Sequence, residues 1–352
     1  LSPRRFLPLL ALPLALACGG DSTPDPRGGA DPDGDTFQVA LLTAGPVSDA
    51  GWYAGAYEGL LAIEDSLGAR VSHQQTRTPA EFDEAFRDYG SSGFDLVFAH
   101  GFEYQDAALR AGELFPEMTI VVSGGGRVGA NVVPLIFRLE QGSYLAGMAA
   151  GGMTRTGTVG MVGGVAIPPA VGTFRAFEAG ARAVNPDVTV LETFTGNWDD
   201  VAAAKEAAVA QLGRGADILI HNVDAASFGV FQAVREAVAA GDTVWAMGMN
   251  RDQNDVAPDV ILGSAVIRIP EAFLTVARAV RADTLPSAPF YVGEAQDVID
   301  FVANPGLVGR YPAGLLDRIA AARDSIREEL LEVPRVPFVE GEEGVEAPAP
   351  GG

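Results

Sequence analysis

An acid followed by two aromatic residues, Asp49 with Trp52 and Tyr53, stands in a turn-rich run between an apolar stretch and a helical one. Four more loops have the same flavour: Phe102, Tyr104 and Asp106; Trp198 and Asp199; Asp224 and Phe228; and Asn250, Asp252 and Gln253. Aromatic plates beside carboxylates suit a flat, polar ligand, neutral or cationic, stacked on its faces and hydrogen-bonded at its edges. Lys and Arg are scarce in these loops, which argues against a phosphorylated ligand. A Trp at a helix start can equally plug that helix against a sheet, and spacing alone leaves both roles open for Trp52.

Reaction chemistry finds less support. Gly124 to Gly129 satisfies the pattern GxGxxG, but a dinucleotide site needs a helix to begin there. Ala130 to Pro134 reads instead as extended chain, so the glycines are expected to make a turn. The chain has no Walker A motif, no GxSxG and no HExxH. His73, His100 and His221 are far apart in sequence, and His100 and His221 each end a predicted strand. A hydrogen-bonding wall residue is the expected role there, ahead of a metal ligand or a general base. No catalytic residue, metal or cofactor is expected.

The elements that position these loops alternate regularly. Apolar or β-branched runs at Phe37–Gly45, Arg70–Thr76, Phe94–Gly101 and Met118–Gly124 predict strands. Helical spacing at Tyr53–Leu67, Pro79–Tyr89 and Tyr104–Phe115 predicts the helices between them. The alternation restarts with strands at Thr158–Val165, Val188–Gly196, Ala216–Val223, Thr243–Met249 and Val260–Ile269. Helices are predicted at Ala170–Asn185, Asp199–Arg214, Phe228–Ala239, Pro270–Ala282 and Pro312–Leu331. The fold class is therefore α/β, two Rossmann-like lobes with parallel sheets joined by a hinge that the chain crosses more than once. The first lobe is expected at 37–150, completed by about 283–331, and the second at 151–282. Open parallel sheets bind ligands beyond the carboxyl ends of their strands, so two facing sheets share one cleft.

The chain ends differ from this body. Arg4 and Arg5 followed by the apolar run Phe6–Ala17 resemble an export signal over residues 1–17, too short to span a bilayer. Ala15-Leu16-Ala17-Cys18 is similar to a lipobox, which implies diacylglycerol on Cys18, the one cysteine among 352 residues. Residues 18–36 and 332–352, rich in Gly, Pro and acids, are expected to be a disordered linker and a disordered acidic tail. The 46 acidic and 24 basic residues leave a net charge of −22, which repels nucleic acid. Attachment to a membrane then falls to the lipid, on the extracytoplasmic (periplasmic or outer) face of the cell envelope.

Several motifs in order carry a family resemblance. Asp49, Trp52, Glu58 and Gly59 keep the spacing of a characteristic first loop, with Tyr53 where that loop has Asn. Gly101-Phe102-Glu103-Tyr104-Gln105-Asp106-Ala107 is similar to GFxFxDA, Glu140–Gly147 to the inter-lobe segment EGSYLAG, and Gly248–Gln253 to GVDxDQ, with Asn250 replacing the first Asp. The chain resembles the basic membrane protein family, lipoproteins that serve as binding components of nucleoside ABC importers, over about Phe37 to Ala282. The resemblance implies a type I periplasmic binding protein fold, no enzymatic activity, a monomer, a purine nucleoside or nucleobase as ligand, and an ABC permease as partner. Ligand contacts are expected at Asp49, Trp52, Tyr53, Phe102, Asp106, Asp224, Phe228, Asn250 and Asp252; of these the resemblance itself implies Trp52 and Phe228 as stacking plates and Asp49 and Asp106 as polar contacts. Ile267 stands where the family has a lysine, and Arg268, its neighbour in a strand, should face the other way. A sugar-type or signalling receptor of the same fold is the alternative; an α/β enzyme is a third.

Overall fold

The computed structural model describes residues 36–339, together with 342 and 344. The signal-like segment, Cys18 and nearly all of the linker lie outside the described residues. The first sheet is built from β1 (Gln38–Thr43), β2 (Arg70–Gln75), β3 (Leu96–His100), β4 (Thr119–Ser123) and β5 (Val132–Phe137). Between them run α1 (Trp52–Leu67), α2 (Pro79–Ser91) and α3 (Gln105–Leu114). Next come α4 (Leu139–Met153), β6 (Thr158–Gly163), α5 (Pro168–Val184), β7 (Thr189–Phe194), α6 (Val201–Gly213), β8 (Ile218–Asn222) and α7 (Ser227–Ala239). The chain continues through β9 (Trp245–Asn250), β10 (Ile261–Ile267), α8 (Ile269–Arg281), β11 (Phe290–Val292), β12 (Ile299–Ala303) and α9 (Leu315–Arg327).

Two six-stranded sheets result, ordered β11-β5-β4-β3-β1-β2 and β12-β10-β9-β8-β6-β7. Every pairing is parallel except β10 with β12. Strands covered by helices on both faces must be apolar throughout, and β3, β8 and β10 are buried at every position. The two-lobe α/β reading therefore holds, and the extended run after the glycine-rich turn is β5.

The chain crosses between the lobes three times, from β5 into α4, from β10 into α8 and from β11 into β12. The crossings lie side by side: Arg138 N–H donates to the Val292 carbonyl at 2.8 Å, and Arg268 N–H to the Val298 carbonyl at 2.7 Å. Arg268 then reaches Asp300 at 2.9 Å, Arg323 reaches Asp300 at 2.8 Å, and Arg327 reaches Asp297 at 2.8 Å, so an ion cluster ties the crossings to α9.

The segment 283–331 was expected to return whole to the first lobe, and it divides instead. Its β11 joins the edge of the first sheet, whereas β12 pairs with β10 of the second and α9 packs on α4. Two helices are likewise exchanged. The α4 helix packs on α5, with Gly147, Gly151 and Gly180 admitting backbone contact between them, and α8 packs on α1 of the first lobe. Element order gives no information about which sheet a crossing segment rejoins.

The tail departs further from expectation. Val333 and Val339 are buried, and residues 333–339 lie against the body. The physical reason is local: Val333, Val336, Phe338 and Val339 give this run an apolar content that the average composition of 332–352 hides.

Candidate functional site

The carboxyl ends of β1, β3, β6, β8, β9 and β10 face a cavity between the lobes of about 940 Å³, part of it open to solvent. Trp52, Tyr53, Phe102, Asp224 and Asn250 all line it.

Asp49 controls the entry to α1. Its carboxylate is fully buried and accepts N–H groups of Gly51 at 3.1 Å, Tyr53 at 2.9 Å and Ala54 at 2.8 Å. An acid there satisfies donors that a helix start leaves open and sits at the positive end of the helix dipole. Burial raises its pKa, and the three N–H bonds oppose that rise. The side chain is thus spent on the helix, and Asp49 does not line the cavity. Next to it Ala50 has φ 56°, a left-handed conformation costly for Ala, and its carbonyl accepts Gln253 Nε2 of the other lobe at 3.3 Å.

Trp52 packs as a plug at the start of α1 and also stands in the cavity wall. Its ring stacks on His100 with centroids 3.8 Å apart and planes at 24°, and meets Phe137 edge-on at 5.8 Å. His100 is fully buried, bonded to Ser123 Oγ at 2.5 Å and to the Trp52 carbonyl at 3.0 Å. Burial lowers its pKa to about 3, so it is a neutral shelf beneath the indole at physiological pH. His221 is similarly buried and bonded to Gln253 Oε1 at 2.8 Å, with its pKa lowered to about 4. Among the described residues no group of His, Cys, Asp and Glu side chains could hold a metal ion.

Asp224 brings a carboxyl to the cavity from the second lobe, only 6% exposed. Burial first, then the charges of Asp49, Asp199 and Glu103, hold its pKa well above the usual carboxylate range, against a hydrogen bond with Tyr53. Asn250 ends β9 with φ 70°, a conformation that Asn tolerates better than most residues. Asn222 and Thr173, bonded to each other at 2.9 Å, complete this polar wall. Ile267 lines the cavity as well, and Arg268, which follows β10 at the crossing into α8, turns away to Asp297 and Asp300.

Besides Asp49, three more sequence candidates lie outside the cavity. Asp106 is exposed and pairs with Arg127 of the glycine-rich turn. Phe228, in the first turn of α7, is 39% exposed. Asp252 is exposed and accepts the Asn254 N–H at 3.0 Å. Conversely, Phe137, Arg138 and Glu140 of the first crossing line the cavity, as do Trp198 and the tail residues Arg335, Val336, Phe338 and Glu342. The crossing could have been found from the fold, because a hinge must form the back wall of its cleft. The tail's one signal was its four apolar side chains.

This geometry has counterparts among known proteins. The solved structure of an ABC transporter solute-binding protein from Conexibacter woesei superimposes with a TM-score of 0.69 at 28% identity, covering 87% of this chain and all of that one. Transcriptional activator protein med of Bacillus subtilis is 27% identical over 73% of this chain and 79% of its own length. A purine-binding protein of Brucella abortus is 26% identical over 77% of each chain. Residues 36–310 match the Bmp family, described as ABC transporter substrate-binding protein PnrA-like. With that match running from β1 through the third crossing, the chain belongs to the Bmp family of ABC transporter substrate-binding proteins.

Proposed function

We propose that this protein is a lipid-anchored extracytoplasmic receptor that captures a purine nucleoside or nucleobase in the inter-lobe cavity, delivers it to an ABC permease and catalyses no reaction. The observation that carries the reading is Trp52, an indole backed on one side by neutral His100 and forming cavity wall. A heterocycle can stack there, with Asp224, Asn250 and Asn222 offering acceptors and donors to its edges. Ile267 in the cavity wall, with Arg268 turned away, removes one cation from reach, and the two arginines that do line the cavity, Arg138 and Arg335, each sit beside a glutamate. The names of relatives agree with a purine, although med is named for transcription, which supports a signalling receptor as the second reading.

Calorimetric titration with adenosine, guanosine, inosine, adenine and guanine tests the ligand class. Trp52→Ala should weaken purine binding about 5- to 150-fold, the range of one lost base–aromatic stack. If no purine binds below millimolar concentration, the ligand class is wrong; if purines bind and Trp52→Ala is silent, the ring is only structural. Anchoring is tested separately by Cys18→Ala, which should release the protein from membranes washed in high salt, whereas continued pelleting would refute the lipid.

A further inference from the structure

The C-terminal run beyond α9 takes no part in either sheet, yet four of its residues line the cavity. Val333 and Val339, each 7% exposed, anchor the two ends of this run. Between them the chain rests on both lobes. The Phe338 carbonyl occupies the space where a side chain on Gly126 of the first lobe would project. The Val336 N–H lies 3.5 Å from where a Cβ on Gly172, in α5 of the second lobe, would stand. Phe338 also meets Phe102 with ring centroids 6.5 Å apart.

Charge joins the same segment to the hinge. Arg335 pairs with Glu342 at 3.7 Å, Arg138 of the first crossing pairs with Glu140 at 3.7 Å, and all four side chains line the cavity. The tail's Arg335 and Glu342 therefore share the cavity lining with Arg138 and Glu140 of the crossing.

We propose that residues 333–339, with Glu342, form a strap that closes the mouth of the ligand cavity and gates exchange of the ligand. A solute enters or leaves only when Phe338 lifts from Phe102 and Arg335 and Glu342 leave the cavity wall. The inference rests on the receptor reading for its ligand, but not for the covering itself.

Two measurements keep these apart. The variants are a chain truncated after Pro334, which retains the Val333 anchor, and the full-length double variant Arg335→Ala with Phe338→Ala. Circular dichroism checks that both fold, and the double variant still decides the matter if truncation unfolds the chain. Acrylamide quenching of tryptophan emission needs no ligand: Trp52 and Trp198 line the cavity under the strap, and Trp245 does not. The quenching constant should rise about twofold in both variants as these two of three indoles open to solvent; an unchanged constant overturns the strap. Stopped-flow dissociation of guanosine should then be about tenfold faster in both variants, the equivalent of one lost anchoring contact. Equal rates in all three proteins overturn the gating. If guanosine does not bind the unaltered chain, dissociation is measured with whichever of the five purines does; if none binds, the purine reading falls, and quenching alone upholds or overturns the strap.

Discussion

Replacing Asp49 by Ala should cost stability and leave ligand affinity nearly intact, the reverse of what a ligand-binding acid would do. The carboxylate accepts three N–H groups at 2.8–3.1 Å and is fully buried. Loss of a helix-capping acceptor alone costs about 0.5–2 kcal/mol. A buried donor left without a partner costs about 1–3 kcal/mol, and water entering from the cleft can serve some of the three. Against this, removing a buried charge relieves repulsion with Asp199 and Asp224. The balance is a loss of about 2–4 kcal/mol, on the order of 3–6 °C in Tm for a protein of this size. Asp49→Asn keeps an acceptor oxygen and should lose roughly half as much. Thermal melts give the global figure. Native-state hydrogen exchange at the Tyr53 and Ala54 amides reports the cap itself, and both should exchange faster in Asp49→Ala. Unchanged melting together with lost purine affinity would refute the reasoning and return Asp49 to the ligand.

Three further expectations follow from the same contacts. Gly180→Ala should destabilise the second lobe by about 1–3 kcal/mol, because the added methyl collides with the Tyr144 carbonyl across the α4–α5 contact; a melt within error of the parent would show that the helices can separate freely. Glu140, 15% exposed, has its pKa raised to about 7 by burial, against the attraction of Arg138 and Arg335. Its native form thus holds a proton that the unfolded chain releases near pH 4.5, so its contribution to stability falls as pH rises from about 4.5 to 7. Glu140→Gln should therefore gain on the parent by up to about 3 kcal/mol between pH 5 and 8, and parallel pH curves would contradict this. Asp106→Ala removes only an exposed pair with Arg127 and should shift purine affinity by less than about twofold; a large loss in calorimetry would restore it as a contact.

The strands and helices of both sheets were legible because each has its own period and its own turn residues. The residues that line the cavity were legible where they end a strand, as Asn250 does, or begin the first helix, as Trp52 and Tyr53 do. Asp49 shows the limit: an acid three residues before a Trp has the same spacing whether it caps a helix or holds a ligand. Asp106 and Phe228 illustrate another. Both stand in first helical turns at the correct ends of strands, yet the turn of the helix directs them outward. The α4 helix was seen only as a motif, since its run of small and apolar residues is buried on nearly every side and shows no polar face. The strands β11 and β12 are three and five residues long, too short to declare a period. The strap was hidden by averaging, with four apolar side chains diluted among Pro, Gly and Glu.

The order in which the chain supplies its strands bears on its synthesis. The first sheet takes its sixth strand from residues 290–292, long after its other five have been made. Until then β5 is an open edge, with backbone groups ready to pair with any extended chain nearby. The second sheet waits longer still, for 299–303. Neither lobe can be completed as a nascent domain while the other is being made, so the usual sequence of folding one domain at a time is closed to this protein. Both sheets must stay incomplete through most of translation and then seal within about a dozen residues of each other. A chaperone that delays collapse should raise its yield more than one that assists a finished N-terminal domain.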